Sequence, residues 1–284
     1  MLNNITIKIA SHAGACYGVE RALKLTEQAI EENDEVSTFG EIIHNPCVVE
    51  NLENSGVNVI KKPEEAHGTI VLRSHGVTPE VEAEISKHAE VVDATCPFVK
   101  KAQLVAKNLG ASHKQVVIVG EAGHPEVEAL VAYAKLGGAE VFAASDTEAL
   151  KNIELTDVGI LSQTTQQKAT FQNVVNFVAK KGVRHCVKNT ICAATAERQM
   201  AAIELSKKVD LMIVLGGKNS ANTTRLFELC KENCPLTFHI ERPEEFISFR
   251  NNLPDSPNPT IGITAGASTP QSQITELQSL IKGD

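Results

Sequence analysis

The chain has 284 residues, 42% of them hydrophobic and 22% charged, which makes it about twice a typical domain in length and ordinary in composition for a soluble globular protein. A net charge of −8 argues against a nucleic-acid partner, which needs clustered Lys and Arg; with no Trp and two Tyr the chain lacks the aromatic belt of a membrane protein and the stacking surface of a single-strand binder. Seven cysteines, an odd number, with no secretory segment and no apolar run of about 18 residues, point to a reducing cytoplasm where thiols stay free or bind metal.

At the start of the chain, Ile5-Thr6-Ile7-Lys8-Ile9-Ala10 alternates and is too short for a signal sequence. Apolar periodicity predicts helices near 18–32, 46–54, 79–88, 98–109, 125–136, 167–181, 195–208, 220–233 and 270–282. Val116–Val119, Gly159–Leu161, Leu211–Leu215 and Thr260–Thr264 read as buried strands, each running into a Gly-, Ser- or Thr-rich turn. Strands alternating with amphipathic helices from end to end specify an α/β protein with mainly parallel sheets. The Glu31–Glu35 run reads as a solvated helix end, Pro254–Pro259 as the clearest linker, and Pro270 after Ser268-Thr269 as a helix start with its cap.

An internal repeat underlies this alternation. The same 28-residue interval separates Cys16 from His44, Cys96 from His124 and Cys192 from Ser220, and a helical pattern follows each cysteine. Each cysteine block leads to a strand ending in Gly and a polar helix start, at Gly40–Pro46, Gly120–Glu126 and Gly216–Asn222. A second strand-loop-helix follows at Arg73–Pro79, Ser162–Thr165 and Thr264–Pro270. The repeat predicts three small α/β modules, 1–95, 96–188 and 189–284, each offering one thiol and two polar loops. Ligands of parallel α/β sheets bind beyond the carboxyl ends of the strands. Packed about a pseudo-threefold axis, the modules would surround a central pocket with the thiols at its floor. Backbone N–H groups at its helix starts can hold an anion without a basic patch.

Three thiolates suit a soft metal, the choice lying mainly between zinc and an iron–sulfur cluster. No Cys-x-x-Cys pair typical of structural zinc is present, and three distant ligands fit a cluster clamped between modules. With three protein thiols, a four-iron cube keeps one iron open as a Lewis acid. Cys47, Cys186, Cys230 and Cys234 read as small hydrophobes, and His12, His67, His88, His113, His185 and His239 as surface or core residues. His44, His75 and His124 occupy equivalent loops, which favours a site role.

The cysteine blocks, His44-Asn45-Pro46, Ser74-His75-Gly76-Val77, Asp93-Ala94-Thr95-Cys96-Pro97, Gly123–Glu128, Gln163-Thr164-Thr165, Lys218-Asn219-Ser220 and Thr264–Ser268 closely resemble the 4-hydroxy-3-methylbut-2-enyl diphosphate reductase family. The resemblance runs from about residue 7 to residue 281. It implies a three-lobed α/β trefoil around a 4Fe-4S cluster, and reductive removal of an allylic hydroxyl with electrons from a ferredoxin or flavodoxin-type donor. By the same resemblance Cys16, Cys96 and Cys192 are the cluster ligands, and Glu126 delivers a proton toward the leaving hydroxyl, assisted by His124 and Thr164. His44, His75, His124, Thr164, Ser220, Ala221, Asn222 and Ser268 correspond to the substrate-binding set. The helix dipole favours an ionised first-turn Glu, so a proton donor at Glu126 requires burial or a nearby anion. Ala221 replaces a second Ser of the family pattern, Ala15 replaces the Phe of Gly-Phe-Cys, and Cys47 stands where Tyr is frequent. A redox-neutral hydratase or a cluster-based sensor would share the three thiols. The first turns over without an electron donor, and the second needs no acid.

Overall fold

The structure, a computed structural model, describes residues 5–249 and 257–283. Its strands are β1 (Thr6–Ile9), β2 (Val36–Phe39), β3 (Asn58–Ile60), β4 (Thr69–Leu72), β5 (Glu90–Asp93), β6 (Gln115–Val119), β7 (Glu140–Ala144), β8 (Asp157–Ser162), β9 (Arg184–Val187), β10 (Leu211–Leu215), β11 (Thr237–Ile240) and β12 (Thr260–Ala265). The helices are α1 (Tyr17–Glu32), α2 (Pro46–Asn54), α3 (Pro79–Ile85), α4 (Pro97–Ser112), α5 (Pro125–Leu136), α6 (Lys168–Lys180), α7 (Ala193–Ser206), α8 (Ala221–Lys231), α9 (Phe246–Phe249) and α10 (Gln271–Lys282). Proline opens α2 to α5, where its missing N–H costs nothing and its fixed φ suits the first turn.

The strands form three four-stranded sheets, ordered β1-β12-β10-β11, β3-β2-β4-β5 and β7-β6-β8-β9, with every neighbouring pair parallel. The α/β class and parallel sheets read from the alternation are therefore present. One plan governs all three. The inner strands β10 and β12, β2 and β4, and β6 and β8 are almost entirely buried, rich in Val, Ile and Leu, because helices cover both faces. One edge of each sheet is the strand that precedes a cysteine: β1 before Cys16, β5 before Cys96 and β9 before Cys192.

The chain divides into two compact units, one of Met1–Val19, Ile43–Asn51 and Ala193–Asp284, the other of Glu20–Ile42 and Leu52–Cys192. In the first unit, β1 pairs with β12 from Thr6↔Thr260 to Ile9↔Ile263, so the earliest strand completes the sheet of the latest ones. Sequence order alone places β1 with the strands that follow it. Ile5 and Ile7 instead pack on the cluster built by Leu211, Ile213, Ile261, Ile263 and Leu277. Of the Pro254–Pro259 linker, Pro254, Asp255 and Ser256 lie outside the described residues, and Pro259 accepts the Thr6 N–H at 3.0 Å. The last helix starts at Gln271, with Pro270 in the cap position at φ −60° and ψ 150°. Neither hydroxyl before it caps the helix, because Ser268 Oγ donates to the His44 carbonyl at 2.9 Å and Thr269 Oγ1 to the Leu215 carbonyl at 3.1 Å.

In the second unit, α4 and α5 pack backbone to backbone. A Cβ on Gly110 would lie 2.0 Å from the Ala134 carbonyl oxygen, and one on Gly137 would lie 2.4 Å from the Ala111 nitrogen. Since α4 begins after Cys96 and α5 carries Glu126 in its first turn, this crossing fixes the two helix starts relative to each other. Replacing Gly110 by Ala should force the helices apart and cost about 1–3 kcal/mol, measured as a lower denaturant midpoint.

Candidate active site

The six polar loops all follow the carboxyl ends of inner strands. In the second unit, β6 runs through Gly120–Gly123 to His124, which caps α5: its Nδ1 accepts the Glu126 N–H at 3.1 Å. With Nδ1 an acceptor, the neutral ring carries its proton on Nε2. The His124 ring meets that of His75 edge-on, with centroids 5.5 Å apart and planes at 83°. Two residues on from His124, Glu126 is 2% exposed. Thr164, in the loop after β8, grips its carboxylate twice, donating from its backbone N–H to Oε1 at 2.6 Å and from Oγ1 to Oε2 at 2.8 Å. Burial raises the Glu126 pKa from 4.5 to about 7, against the pull of those two hydrogen bonds. The burial that a proton donor at this position requires is thus built in.

Each of the three cysteines immediately precedes the first residue of a helix, α1, α4 or α7. Their backbone N–H groups are also anchored alike. Cys16 donates to the Ala267 carbonyl at 3.0 Å, Cys96 to Ser74 at 3.0 Å and Cys192 to Thr164 at 2.9 Å. Each acceptor lies in the loop after the strand that pairs with the cysteine's own edge strand. Thr164 therefore holds Glu126 with its N–H and hydroxyl while its carbonyl holds Cys192. None of the three is in a disulfide, and all are partly buried.

In the first unit, Ser220 caps α8, accepting the Thr223 N–H at 3.4 Å, and Ala221 opens the helix, its N–H among the first-turn donors that have no partner within the helix. Asn222 is 4% exposed, and neither atom of its amide has a hydrogen-bond partner among the described residues. A buried amide left open in this way is a ready receptor for a polar ligand. The His44 carbonyl accepts from Ser268 Oγ, and Asn45 Nδ2 donates to the Ser268 carbonyl at 2.9 Å and to Gln273 Oε1 at 3.1 Å. These bonds hold the His44 and Ser268 loops side by side.

Two further contributors lie within the motifs without being among the site residues expected from them. Asn45 is fully buried and bonds three partners, a role its place before a helix-opening proline signals only in part. Gln163 Oε1 accepts the Glu121 N–H at 3.2 Å, joining the loops that follow β6 and β8. Of the cysteines read as packing residues, Cys230 and Cys234 are buried, Cys186 lies on the edge strand β9, and Cys47 is part of α2. Burial pushes the Cys230 thiol up to about 12 and also raises that of Cys47.

A Geobacter sulfurreducens 4-hydroxy-3-methylbut-2-enyl diphosphate reductase is 46% identical over 274 residues, covering 95% of each chain. The Geobacter metallireducens enzyme of the same name is 45% identical over 285 residues, 97% of this chain and 96% of that one. The LytB protein family model matches residues 7–282. The chain belongs to the LytB family of 4-hydroxy-3-methylbut-2-enyl diphosphate reductases. A solved (E)-4-hydroxy-3-methyl-but-2-enyl diphosphate reductase, the terminal enzyme of the non-mevalonate pathway, is 40% identical with a TM-score of 0.71, over 99% of this chain and 100% of that one. The Plasmodium falciparum reductase, 22% identical with a TM-score of 0.86 over 98% of this chain and 88% of that one, shows the same fold. No helix among the described residues of this LytB chain is long and apolar enough to cross a membrane.

The state of Glu126 sets two pH dependences. Between about 4.5 and 7 the folded protein keeps a proton that the unfolded chain has lost, so this residue's contribution to stability is full below pH 4.5 and is lost as pH rises through 7. Glu126→Gln removes this slope, and Thr164 can rotate its hydroxyl to accept from the new amide. Denaturant midpoints of parent and variant should diverge as pH rises across that window, in favour of the variant. Turnover that needs the protonated carboxyl should fall on the alkaline side with a midpoint near 7, read from a pH–rate profile.

Proposed function

We propose that this chain reductively dehydroxylates 4-hydroxy-3-methylbut-2-enyl diphosphate to isopentenyl diphosphate and dimethylallyl diphosphate, the last step of the non-mevalonate isoprenoid pathway. Two electrons and two protons enter, the allylic C–O bond breaks, and water leaves. Cys16, Cys96 and Cys192 would hold a 4Fe-4S cluster which, when bound, supplies electrons and a Lewis-acidic iron for the hydroxyl oxygen. The donor set fits this group: three partly buried thiols outside any disulfide, each at a helix start and each anchored through its N–H. Cys230 is an unsuitable ligand because burial holds its thiol protonated.

The observation that carries the proposal is the clamp on Glu126. A carboxyl with a pKa raised to about 7 is still about half protonated at neutral pH, so the acid form is at hand when the hydroxyl departs. Thr164 then receives the resulting carboxylate with its N–H and Oγ1, which already point at the two oxygens. His124 stands at the same helix start and orients the leaving end of the substrate. His44, His75, Ser220, Asn222 and Ser268 bind the diphosphate, with the backbone N–H of Ala221 in place of the absent serine hydroxyl. The open amide of Asn222 supports that assignment.

A ferredoxin or flavodoxin-type protein supplies the electrons in the cytoplasm, where thiols remain reduced. The cysteine-led modules 1–95, 96–188 and 189–284 are the repeat of the sequence. Two sheets lie within the first and second of these stretches, and the sheet of the third is completed by β1 from the first.

Anaerobic turnover should require reduced ferredoxin or a viologen dye, and Glu126→Gln should lower kcat by ~10² or more while the colour of the loaded protein is kept. Activity without any donor, or full activity in the Gln variant, would remove this function or the role of Glu126. Substituting Ser for Cys16, Cys96 or Cys192 should bleach the brown chromophore and Cys230→Ser should not, as followed by visible absorption.

A further inference from the structure

Two arginines have no part in the chemistry above, yet each reaches a cysteine loop. Arg198 lies on α7, six residues past Cys192, and is only 3% exposed. Its Nη2 donates to the Gly14 carbonyl at 2.9 Å and its Nη1 to the Ala194 carbonyl at 3.4 Å. Gly14 stands two residues before Cys16 and Ala194 two residues after Cys192. The segment it grips has an unusual backbone, with positive φ at His12 (62°) and Gly14 (98°). Such a conformation persists only where surrounding contacts hold it.

Arg21 repeats the arrangement. It lies on α1, five residues past Cys16, and its Nη1 donates to the Thr95 carbonyl at 3.3 Å and its Nη2 to that of Asp93 at 3.5 Å. Thr95 adjoins Cys96. Thus on two of the three helices that follow a cysteine, a second-turn arginine reaches ahead of another cysteine, to one carbonyl from Arg198 and to two from Arg21. A guanidinium suits the task because its rigid fork can serve two carbonyls at once, whereas the single ammonium of Lys lacks that fixed geometry.

We infer that Arg198 is a positioning residue, with Arg21 its counterpart. By fixing the Gly14 carbonyl it presets the Cys16 sulfur to take up and retain iron, and Arg21 does the same for Cys96. The inference rests on the proposed ligand set and deepens it, adding residues that act on the ligands through their backbone.

The test uses the full chain loaded anaerobically with ferrous iron and sulfide, as wild type, Arg198→Lys, Arg198→Met, Arg21→Met and Cys16→Ser. Three quantities are read: the thermal midpoint before loading, the rate at which an iron chelator bleaches the visible absorption, and the electron paramagnetic resonance spectrum after reduction. Arg198→Met should bleach about tenfold or more faster than wild type, as is typical when the partners of metal ligands are lost, with an altered spectrum. Arg198→Lys should fall between them. Should Arg198→Met fail to fold, Arg21→Met, at a residue that is only partly buried, gives the same readout and should also bleach faster. Wild-type bleaching and spectra in the Met variants that fold would overturn the inference. So would equal bleaching in Arg198→Lys and Arg198→Met accompanied by equal loss of thermal stability, the mark of a merely structural residue. If Cys16→Ser itself bleaches no faster than wild type, the ligand assignment is what fails.

Discussion

The hydrogen bond from the backbone N–H of each cysteine to a carbonyl at the end of an inner strand governs the layout of this protein. It recurs in all three sheets, from Cys16 to Ala267, Cys96 to Ser74 and Cys192 to Thr164, at 2.9 to 3.0 Å. The accepting loops also carry Ser268, His75 and Thr164, so each thiol shares a peptide anchor with a polar group of the site. A parallel sheet makes this repetition possible because all its strands end at the same edge. Short edge strands then lead the chain across that edge, where one N–H can fasten it before the next helix begins.

At Thr164 the economy of the arrangement is greatest. One residue uses its N–H and hydroxyl on Glu126 and its carbonyl on Cys192, coupling the candidate proton donor to a candidate metal ligand through three bonds. Burying a carboxyl costs free energy, and hydrogen bonds to its anion return part of it. The balance here leaves the acid poised near neutrality. Asn222, Thr223 and Thr264 are likewise buried, with polar side-chain atoms lacking partners among the described residues. Such groups are destabilising in an empty fold. In the same unit the buried apolar strands β10 and β12 offset that deficit.

Local chemistry is legible in this sequence because it is written in short-range code. Proline at helix starts, glycine after strands and unbroken apolar runs mark the turn beyond each inner strand, and the helices fall within a few residues of their expected places. The location of Cys16, Cys96 and Cys192 before helices is legible for the same reason. What escapes such reading depends on residues far apart in the chain. The partner of β1 is chosen by Ile5 and Ile7 packing on Leu211 and Ile261, which no local pattern announces. The clamp from Thr164 to Glu126 joins the loop after β8 to the first turn of α5, so the need for burial can be stated from the sequence but not its source. Arg198 sits on one helical face with Thr195 and Ala202, and that buried face is a signal that its charge points inward. Gly110 looks like an ordinary helix weakness until Ala134 is found against it.

The pairing of β1 with β12 also bears on how the molecule is made. During synthesis Thr6 leaves the ribosome well before its neighbour Thr260, which emerges only after β11, and the Ala267 carbonyl that fastens Cys16 emerges later still. The other two thiols belong to a unit whose sheets are built from strands already translated by then. Cys16 is thus the last of the three cysteines to gain its native backbone anchor, because its acceptor is the latest of the three to be translated.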